Sequence, residues 1–252
     1  MPQIIKDLLI KVPAVTFGFW IIKILCTTLG ETGGDAVSMT WNLGYLLSTA
    51  IFAALLIALI YTQVKAKTYN PWLYWATIIA STTAGTTLAD YADRSLGIGY
   101  TGGSLLLLSL LLLTLYTWKK STGSISVESI SSPKSESFYW LAITFSQTLG
   151  TALGDWMADT NSFGYLNSGF VFGAALIGVA ILYYQTKISR TLLFWAAFIL
   201  TRPLGAVVGD LLDKPFAKGG FDISRPLISL ILLAIIIALV YIIPQKAAEK
   251  KH

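Results

Sequence analysis

Eight long apolar runs alternate along the chain with short polar segments. The runs cover residues 14–35, 44–64, 71–91, 102–118, 138–157, 164–184, 192–212 and 226–243. A helix of about 20 residues spans the ~30 Å hydrocarbon layer of a membrane, and the runs approach or reach that length. The pattern predicts an all-α polytopic membrane protein with eight transmembrane helices, in a single domain over residues 1–252.

A spacing of tryptophan, glycine and aspartate recurs in every second run. The pattern W-x9-G-x4-D occurs four times without insertion, as Trp20-Gly30-Asp35, Trp75-Gly85-Asp90, Trp140-Gly150-Asp155 and Trp195-Gly205-Asp210. Repetition at a fixed spacing identifies a repeated structural unit. Each unit contains two apolar runs, so the chain predicts four helical hairpins over residues 14–64, 71–118, 138–184 and 192–243.

A shift of 120 residues aligns the two halves of the chain. It places Asp90 and Asp93 on Asp210 and Asp213. Between the halves lie residues 119–137, which are rich in serine and charge and which we interpret as a solvated cytoplasmic linker. The simplest account is a hairpin that was duplicated and then duplicated again.

The composition supports a membrane protein and narrows its chemistry. The chain is 55% hydrophobic and 12% charged, about half the roughly 25% charge of soluble domains. The net charge of +5 comes from short clusters between apolar runs, which does not indicate nucleic-acid binding. One cysteine and one histidine exclude intrachain disulfides and zinc sites built from several Cys and His ligands. We expect no covalent cofactor, and any bound ion must have oxygen ligands.

Lysine and arginine are distributed unequally between two sets of polar segments. The termini and the segments between repeats carry twelve, and the segments within hairpins carry four, namely Arg94, Lys214, Lys218 and Arg225. The positive-inside rule then places both termini in the cytoplasm, with all hairpins entering from the same side. Parallel hairpins predict a pseudo-fourfold axis, or a pseudo-twofold axis relating pairs, along the membrane normal. Residues 1–12 predict a short helix on the membrane surface.

In the first helix of each hairpin, steps of four residues trace one face. We define these faces as the inward stripes: Lys23-Thr27-Glu31-Asp35, Ile78-Thr82-Thr86-Asp90, Ile143-Gln147-Thr151-Asp155 and Phe198-Arg202-Ala206-Asp210. An ionisable side chain inside a span costs about 2.5 kcal/mol or more, so four aspartates at one depth favour a functional site.

The stripes predict a cation site. We expect a ring of four carboxylates, Asp35, Asp90, Asp155 and Asp210, to bind the ion. Further polar groups are expected to line the same cavity: Glu31, Thr27, Thr82, Thr86, Gln147 and Thr151. Such oxygen-rich sites suit a divalent metal ion such as Mn²⁺ or Mg²⁺.

Other residues of the repeat have structural interpretations. Arg202 lies about 10 Å beyond Trp195 along its helix, and we expect it to pair with Glu31. For Lys23 we favour extension to the cytoplasmic interface over internal charge pairing. Small residues predict close helix packing: Gly30, Gly34, Gly85, Gly150, Gly154, Gly205 and Gly209. The repeat tryptophans predict anchors at the membrane interface: Trp20, Trp75, Trp140 and Trp195.

On these residues the chain resembles a bacterial integral membrane protein family with four tandem copies of a repeat of unknown function. Each copy in that family has two transmembrane segments and a characteristic tryptophan. The resemblance covers residues 14–243 and is carried by the four tryptophans within W-x9-G-x4-D. It implies the hairpin architecture and a bacterial plasma-membrane location, and it assigns no catalytic residue.

The leading functional prediction is a transporter or channel for a small cation in the lipid bilayer, either a divalent metal ion or one coupled to protons, and not an enzyme. One alternative is a structural or partner-binding membrane protein whose charges form internal salt links. Another is an intramembrane aspartyl protease, suggested by Gly-Asp pairs such as Gly34-Asp35 but lacking a full G-x-G-D. The oligomeric state is left open, with a homo-oligomer among the alternatives.

Overall fold

The structure, a computed structural model, describes residues 10–160 and 163–248. Within these ranges eight α-helices follow one another: α1 (Phe17–Asp35), α2 (Tyr45–Lys65), α3 (Pro71–Asp90), α4 (Tyr100–Thr122), α5 (Pro133–Asp155), α6 (Gly164–Gln185), α7 (Arg190–Asp213) and α8 (Arg225–Ile242). The described part of the chain contains no β-strand, only an isolated bridge. The prediction of an all-α fold is confirmed.

Local sequence signals set where the first helices of the hairpins begin. The side chains of Thr16, Asn70 and Ser132 each accept a hydrogen bond from the backbone N–H three residues later. These caps satisfy donors that the first helical turn leaves free. Pro71 and Pro133 then occupy the first helical position, where a missing N–H carries no cost.

The first helices of three repeats extend beyond their aspartates. One π-helical turn follows each, over Ala36–Thr40, Tyr91–Ser95 and Trp156–Thr160. Arg94 lies in the second of these turns, which brings it beside Asp90. In the fourth repeat the α-helix itself continues to Asp213, and Lys214 follows directly. The chain thus places a cation just beyond the aspartates of the second and fourth repeats.

The helices pack in a cyclic order. The inner helix α1 contacts α3 and α7, and α5 contacts the same two helices from the other side. The second helix of each hairpin lies against the first helix of the next repeat: α2 on α3, α4 on α5, α6 on α7, and α8 on α1. Four inner helices are therefore enclosed by four outer ones.

The outer helices present apolar surfaces. In the part of the chain that the structure describes, five helices are long and apolar enough to cross a membrane, namely α2, α4, α6, α7 and α8. Large side chains on the outer helices are exposed, for example Ile57, Phe170 and Leu230, as expected of a surface that contacts lipid. The inner helices α1, α3 and α5 contain the polar inward stripes, which lower their hydropathy. The protein is a helical membrane-type protein.

Aromatic residues form a layer near the start of the inner helices. This aromatic layer comprises the four repeat tryptophans and the residue before each: Phe19, Trp20, Tyr74, Trp75, Tyr139, Trp140, Phe194 and Trp195. Each preceding aromatic ring lies against the tryptophan of the next repeat, at centroid distances between 5.4 and 6.3 Å.

The burial of the tryptophans contradicts their predicted role as interface anchors. Trp75, Trp140 and Trp195 are at most 3% exposed, and only Trp20 is partly exposed. An interface anchor must reach the lipid headgroups, whereas these rings pack on other aromatic rings. The repeat tryptophan is a core residue.

The segment between the two halves is also more ordered than predicted. Helix α4 continues to Thr122, and a short helical turn covers Val127–Ser129. Val127 and Ile130 are buried in the main core, and the carbonyl of Ile125 accepts a hydrogen bond from the Trp195 indole at 3.0 Å. The interpretation of residues 119–137 as a wholly solvated linker is wrong, because apolar residues among the serines reach the core.

The two ends of the described chain lie side by side. Residues 1–9 of the predicted surface helix lie outside the described residues, and residues 10–12 are not helical. Pro13 forms an antiparallel bridge with Ala247. Lys11 is buried and donates to backbone carbonyls at the end of α2. Residues 10–12, the described part of the predicted surface helix, therefore form a buried non-helical segment.

Candidate functional site

All four inward stripes face the protein interior. None of the sixteen stripe side chains is more than 3% exposed. The predicted polar residues are therefore placed inside the bundle, together with the apolar members of the stripes. A period of four, read from sequence, identified the buried face of each inner helix.

Glycines allow these faces to approach. A Cβ built on Gly30 would lie 2.6 Å from the Thr82 hydroxyl oxygen, and one on Gly85 would lie 3.1 Å from the Gln147 Cβ. Gly150 lies against Arg202 and Gly205 against Thr27 in the same way. In every case the glycine of one repeat meets the residue seven positions after the tryptophan of the next repeat.

One turn further along, the second small residue makes the corresponding contact. A Cβ on Gly34 would lie 3.2 Å from the Thr86 Cβ, one on Gly154 would lie 3.1 Å from the Ala206 Cβ, and one on Gly209 would lie 2.8 Å from the Glu31 Cβ. The glycines thus have the packing contacts that their spacing predicts. Their close approach brings the stripe of each helix next to that of its neighbour.

Arg202, on α7, contacts the other three inner helices. Two of its guanidinium nitrogens donate to Glu31 Oε2 at 3.1 and 3.0 Å. It also donates to the hydroxyls of Thr86, at 2.5 Å, and of Thr151. The pairing of Arg202 with Glu31 that the sequence predicts is present, and both side chains are buried.

The four aspartates form two bridged pairs. Arg94 lies 2.7 Å from Asp90 Oδ1 and 3.3 Å from Asp155 Oδ2. Lys214 lies 2.6 Å from Asp35 Oδ2 and 2.8 Å from Asp210 Oδ1. Arg94 and Lys214 are 120 residues apart, so the shift that relates the two halves also relates the two bridges. We define these as the Arg94 bridge and the Lys214 bridge.

The Lys214 bridge has additional partners. Asp213 lies 3.8 Å from the Lys214 ammonium, and Arg225 lies 3.0 Å from Asp213 and 3.7 Å from Asp35. Burial lowers the pKa of Lys214, but the carboxylates of Asp210 and Asp35 outweigh burial and hold that pKa well above its usual range. The side chain is therefore a charged ammonium.

A cavity lies beside this bridge. It has a volume of about 210 Å³ and is lined by Thr40, Asp213, Pro215, Asp222, Ile223, Ser224 and Arg225. Asp213 and Arg225 therefore contact both the cavity and the bridge.

Each of the four repeats matches the same family model. The family model "Repeat of Unknown Function (DUF347)" matches the chain at residues 18–69, 73–124, 138–189 and 193–244. The chain belongs to this family. The chain has no significant match among curated proteins or among solved structures.

Each DUF347 repeat contributes one inner helix and one inward stripe. The first match begins two residues before Trp20, and the others begin two residues before their tryptophans. The expected resemblance to a family of four tandem repeats is confirmed. Glu31 and Arg202, which pair with each other, have no equivalent of the same charge in the other repeats.

The bridging cations of the DUF347 repeats were missed as site residues. From sequence, Arg94, Lys214 and Arg225 are predicted only to be loop charges that bear on orientation. A signal was present, since Arg94 and Lys214 each follow an aspartate by four residues and are related by the 120-residue shift. Four residues is one helical turn, so each cation lies over its aspartate.

Lys23 does not reach an interface. It is fully buried, its ammonium lies 3.4 Å from Gln147 Oε1, and it stands 4.2 Å from the centre of the Phe198 ring. The favoured prediction for Lys23 is wrong, because its side chain is enclosed within the bundle. The other interpretation, internal charge pairing, is not shown, since these contacts are an amide oxygen and an aromatic ring.

One group of carboxylates is arranged so that it could hold a metal ion. Glu31, Asp35 and Asp210 each offer one oxygen atom within 4.8 Å of the other two. Asp90 and Asp155 are not in this group, and Arg94 bridges them instead. The four aspartates are therefore unequal, as the divergence of the repeats predicts, and a metal site at them stays a prediction.

Proposed function

We propose that this DUF347 protein is a transporter or channel for a small cation. The cargo is an oxygen-ligated divalent metal ion, such as Mn²⁺ or Mg²⁺, alone or coupled to protons. The observation that supports this most directly is an excess of buried negative charge at the ends of the inward stripes.

The excess follows from the ion pairs. Six buried carboxylates lie near four cationic side chains, which leaves two negative charges when all groups are ionised, or one when the buried ammonium of Lys23 at the start of its stripe is also counted. The acids are Glu31, Asp35, Asp90, Asp155, Asp210 and Asp213, and the cations are Arg94, Arg202, Lys214 and Arg225. An unpaired charge away from water is costly. A bound cation, or protons on the carboxylates, would remove that cost.

The surroundings also suit a hard cation. The atoms that could coordinate an ion are oxygens. Asp35 Oδ1 and Asp90 Oδ2 are buried without a hydrogen-bond partner in the described chain. Carboxylate oxygens are the ligands that Mg²⁺ and Mn²⁺ prefer. On this proposal the stripe threonines and Gln147 provide polar surface towards the aromatic layer.

We also propose the membrane arrangement that this function requires. All eight helices cross the plasma membrane of a bacterium, as four parallel hairpins around a pseudo-fourfold axis with both termini in the cytoplasm. The cyclic contacts of the glycines and of the aromatic layer support the axis. The pairing of residues near both chain ends supports termini on one side.

The function can be tested in vesicles. Purified full-length protein would be reconstituted into liposomes, and entry of Mn²⁺ or Mg²⁺ and movement of protons would be followed with enclosed dyes. We expect flux that Asp35→Asn and Asp210→Asn each reduce about tenfold or more. Asp159→Asn, at an exposed aspartate, is the matched control. Absence of cation-dependent flux, or flux unchanged in both site variants, would exclude the proposal.

A second candidate function is a structural or partner-binding membrane protein. One observation favours it: each of the four repeat aspartates has a cationic partner. Under this alternative, vesicles show no flux and the aspartate variants lose stability only.

We do not favour an enzyme. An aspartyl protease needs two carboxyl groups that share a proton. Asp35 and Asp210 instead share the ammonium of Lys214.

A further inference from the structure

The two bridges use cations of different chemistry. Arg94 spans its two aspartates with separate nitrogens of one planar guanidinium. Lys214 places a single ammonium between Asp35 and Asp210. A guanidinium holds a fixed fork of donors, whereas an ammonium is a compact charge on a flexible stem. Of the two, Lys214 more closely resembles a bound metal or alkali cation.

We propose that the Lys214 ammonium is an internal substitute for the transported cation, and that the cation binds Glu31, Asp35 and Asp210 when Lys214 withdraws. The inference rests on the proposed function and assigns it to one half of the molecule. On this proposal Arg94 stays bound to Asp90 and Asp155 and keeps a structural role.

The three carboxylates have the spacing of a cation site. One oxygen of each lies within 4.8 Å of the others, and Ca²⁺-like or smaller ions bind oxygens at about 2.0–2.6 Å. Two oxygen ligands on opposite sides of one ion are therefore about 4.0–5.2 Å apart, which is close to the spacing of these carboxylate oxygens. Asp35 supplies a second observation, because its Oδ1 is buried and has no hydrogen-bond partner among the described residues.

The Lys214 ammonium has another carboxylate within reach when it leaves Asp35 and Asp210. Asp213, at 3.8 Å, is the next carboxylate from its ammonium. Asp213 also lines the cavity of about 210 Å³ that Thr40 and Arg225 share. A small rotation of the lysine side chain towards Asp213 would free Asp35 and Asp210. The ammonium keeps a carboxylate partner throughout.

The test is the affinity of purified full-length protein for Mn²⁺, measured by titration calorimetry in detergent. We expect Lys214→Gln to bind Mn²⁺ about tenfold tighter or more than the wild type, since close charge pairs carry coupling energies of this size. Lys214→Arg, which keeps a charge that withdraws less readily, should bind more weakly. Lys218→Gln, an exposed lysine four residues on, controls for the loss of net charge.

Arg94→Gln provides the symmetric comparison. Because Asp90 and Asp155 lie outside the three-carboxylate group, this variant should not tighten Mn²⁺ binding. Equal tightening by Arg94→Gln and Lys214→Gln, or unchanged affinity in Lys214→Gln and Lys214→Arg, overturns the inference. If one of these outcomes is found but the protein still conducts cations in vesicles, the proposed function stands and only the role of Lys214 is rejected. If neither wild type nor any variant binds or moves Mn²⁺, Mg²⁺ or protons, both fail.

Discussion

The Arg94 bridge and the Lys214 bridge occupy equivalent positions in the two halves of the chain. Each joins an aspartate one turn earlier to an aspartate of a neighbouring repeat, with distances between 2.6 and 3.3 Å. They differ in their surroundings. Lys214 has Asp213 and Arg225 nearby, and Glu31 lies close to its aspartates, whereas the Arg94 side chain is 34% exposed.

This difference shows how a duplicated framework can hold one specialised site. In both halves a glycine at the same position of each inner helix meets the residue seven positions after the tryptophan of the next repeat. The side chains that these contacts bring together have diverged. Thr82 corresponds to Arg202, and Glu31 corresponds to Thr151, under the 120-residue shift. The first of these exchanges supplies a buried cation, and the second supplies its carboxylate.

The largest expected effect on stability comes from replacing Arg202 by the residue at the equivalent position of the first half. Arg202→Thr places in the second half the residue that the first half has, and leaves Glu31 buried without its cation. Breaking a buried ion pair costs about 3–5 kcal/mol, so we expect a loss of this size in the free energy of unfolding in detergent micelles.

The double variant Glu31→Thr with Arg202→Thr is the matched comparison. It removes both charges and should be more stable than Arg202→Thr alone. A double variant that is as unstable as the sum of the single variants would show that the pair acts through packing and not through charge.

A smaller difference is expected between two equivalent glycines. Gly150→Ala would push its methyl group against Arg202, which the ion pair with Glu31 holds in place, whereas Gly30→Ala would press on Thr82, whose hydroxyl has no described partner. Overpacking costs about 1–3 kcal/mol. We expect Gly150→Ala to lower the thermal unfolding temperature more than Gly30→Ala.

Gly178→Ala serves as the control, since no atom lies within 4 Å of its added Cβ. Equal effects of Gly30→Ala and Gly150→Ala would mean that the ion pair does not stiffen the contact.

The smallest effect concerns the aromatic layer. Tyr74 and Tyr139 join their hydroxyls at 2.6 Å, whereas the corresponding residues of the other two repeats are Phe194 and Phe19. Tyr74→Phe leaves the Tyr139 hydroxyl buried without this partner, at a cost of about 1–3 kcal/mol. The double Tyr74→Phe and Tyr139→Phe variant should recover most of that loss in the same unfolding assay. A double variant less stable than Tyr74→Phe would contradict this account.

Much of the framework could be predicted from sequence. The recurrence of tryptophan, glycine and aspartate defined four hairpins, and steps of four residues identified the buried face of every inner helix. Arg202 and Glu31 could be paired because each is an isolated charge in an apolar run. These inferences depend on helical geometry, which is local and regular.

Other features depended on how separate segments meet. Arg94 and Lys214 follow the ends of apolar runs, and Arg225 directly precedes one. The four-residue spacing from an aspartate marks Arg94 and Lys214, but the second aspartate that each one reaches depends on how the helices pack. Likewise the repeat tryptophans have the sequence position of interface anchors. They are buried because the neighbouring repeat supplies another aromatic ring at the same level.

The sequence by itself therefore determined the repeat, the helices and the inward stripes, because the spacing of residues along one helix decides which side chains share a face. Only the tertiary structure decided that the four aspartates form two bridged pairs, and that Glu31 stands close to Asp35 and Asp210, which share the Lys214 ammonium. The physical reason is that distances between helices follow from close packing at glycines. Charges from different repeats meet only after that packing has formed.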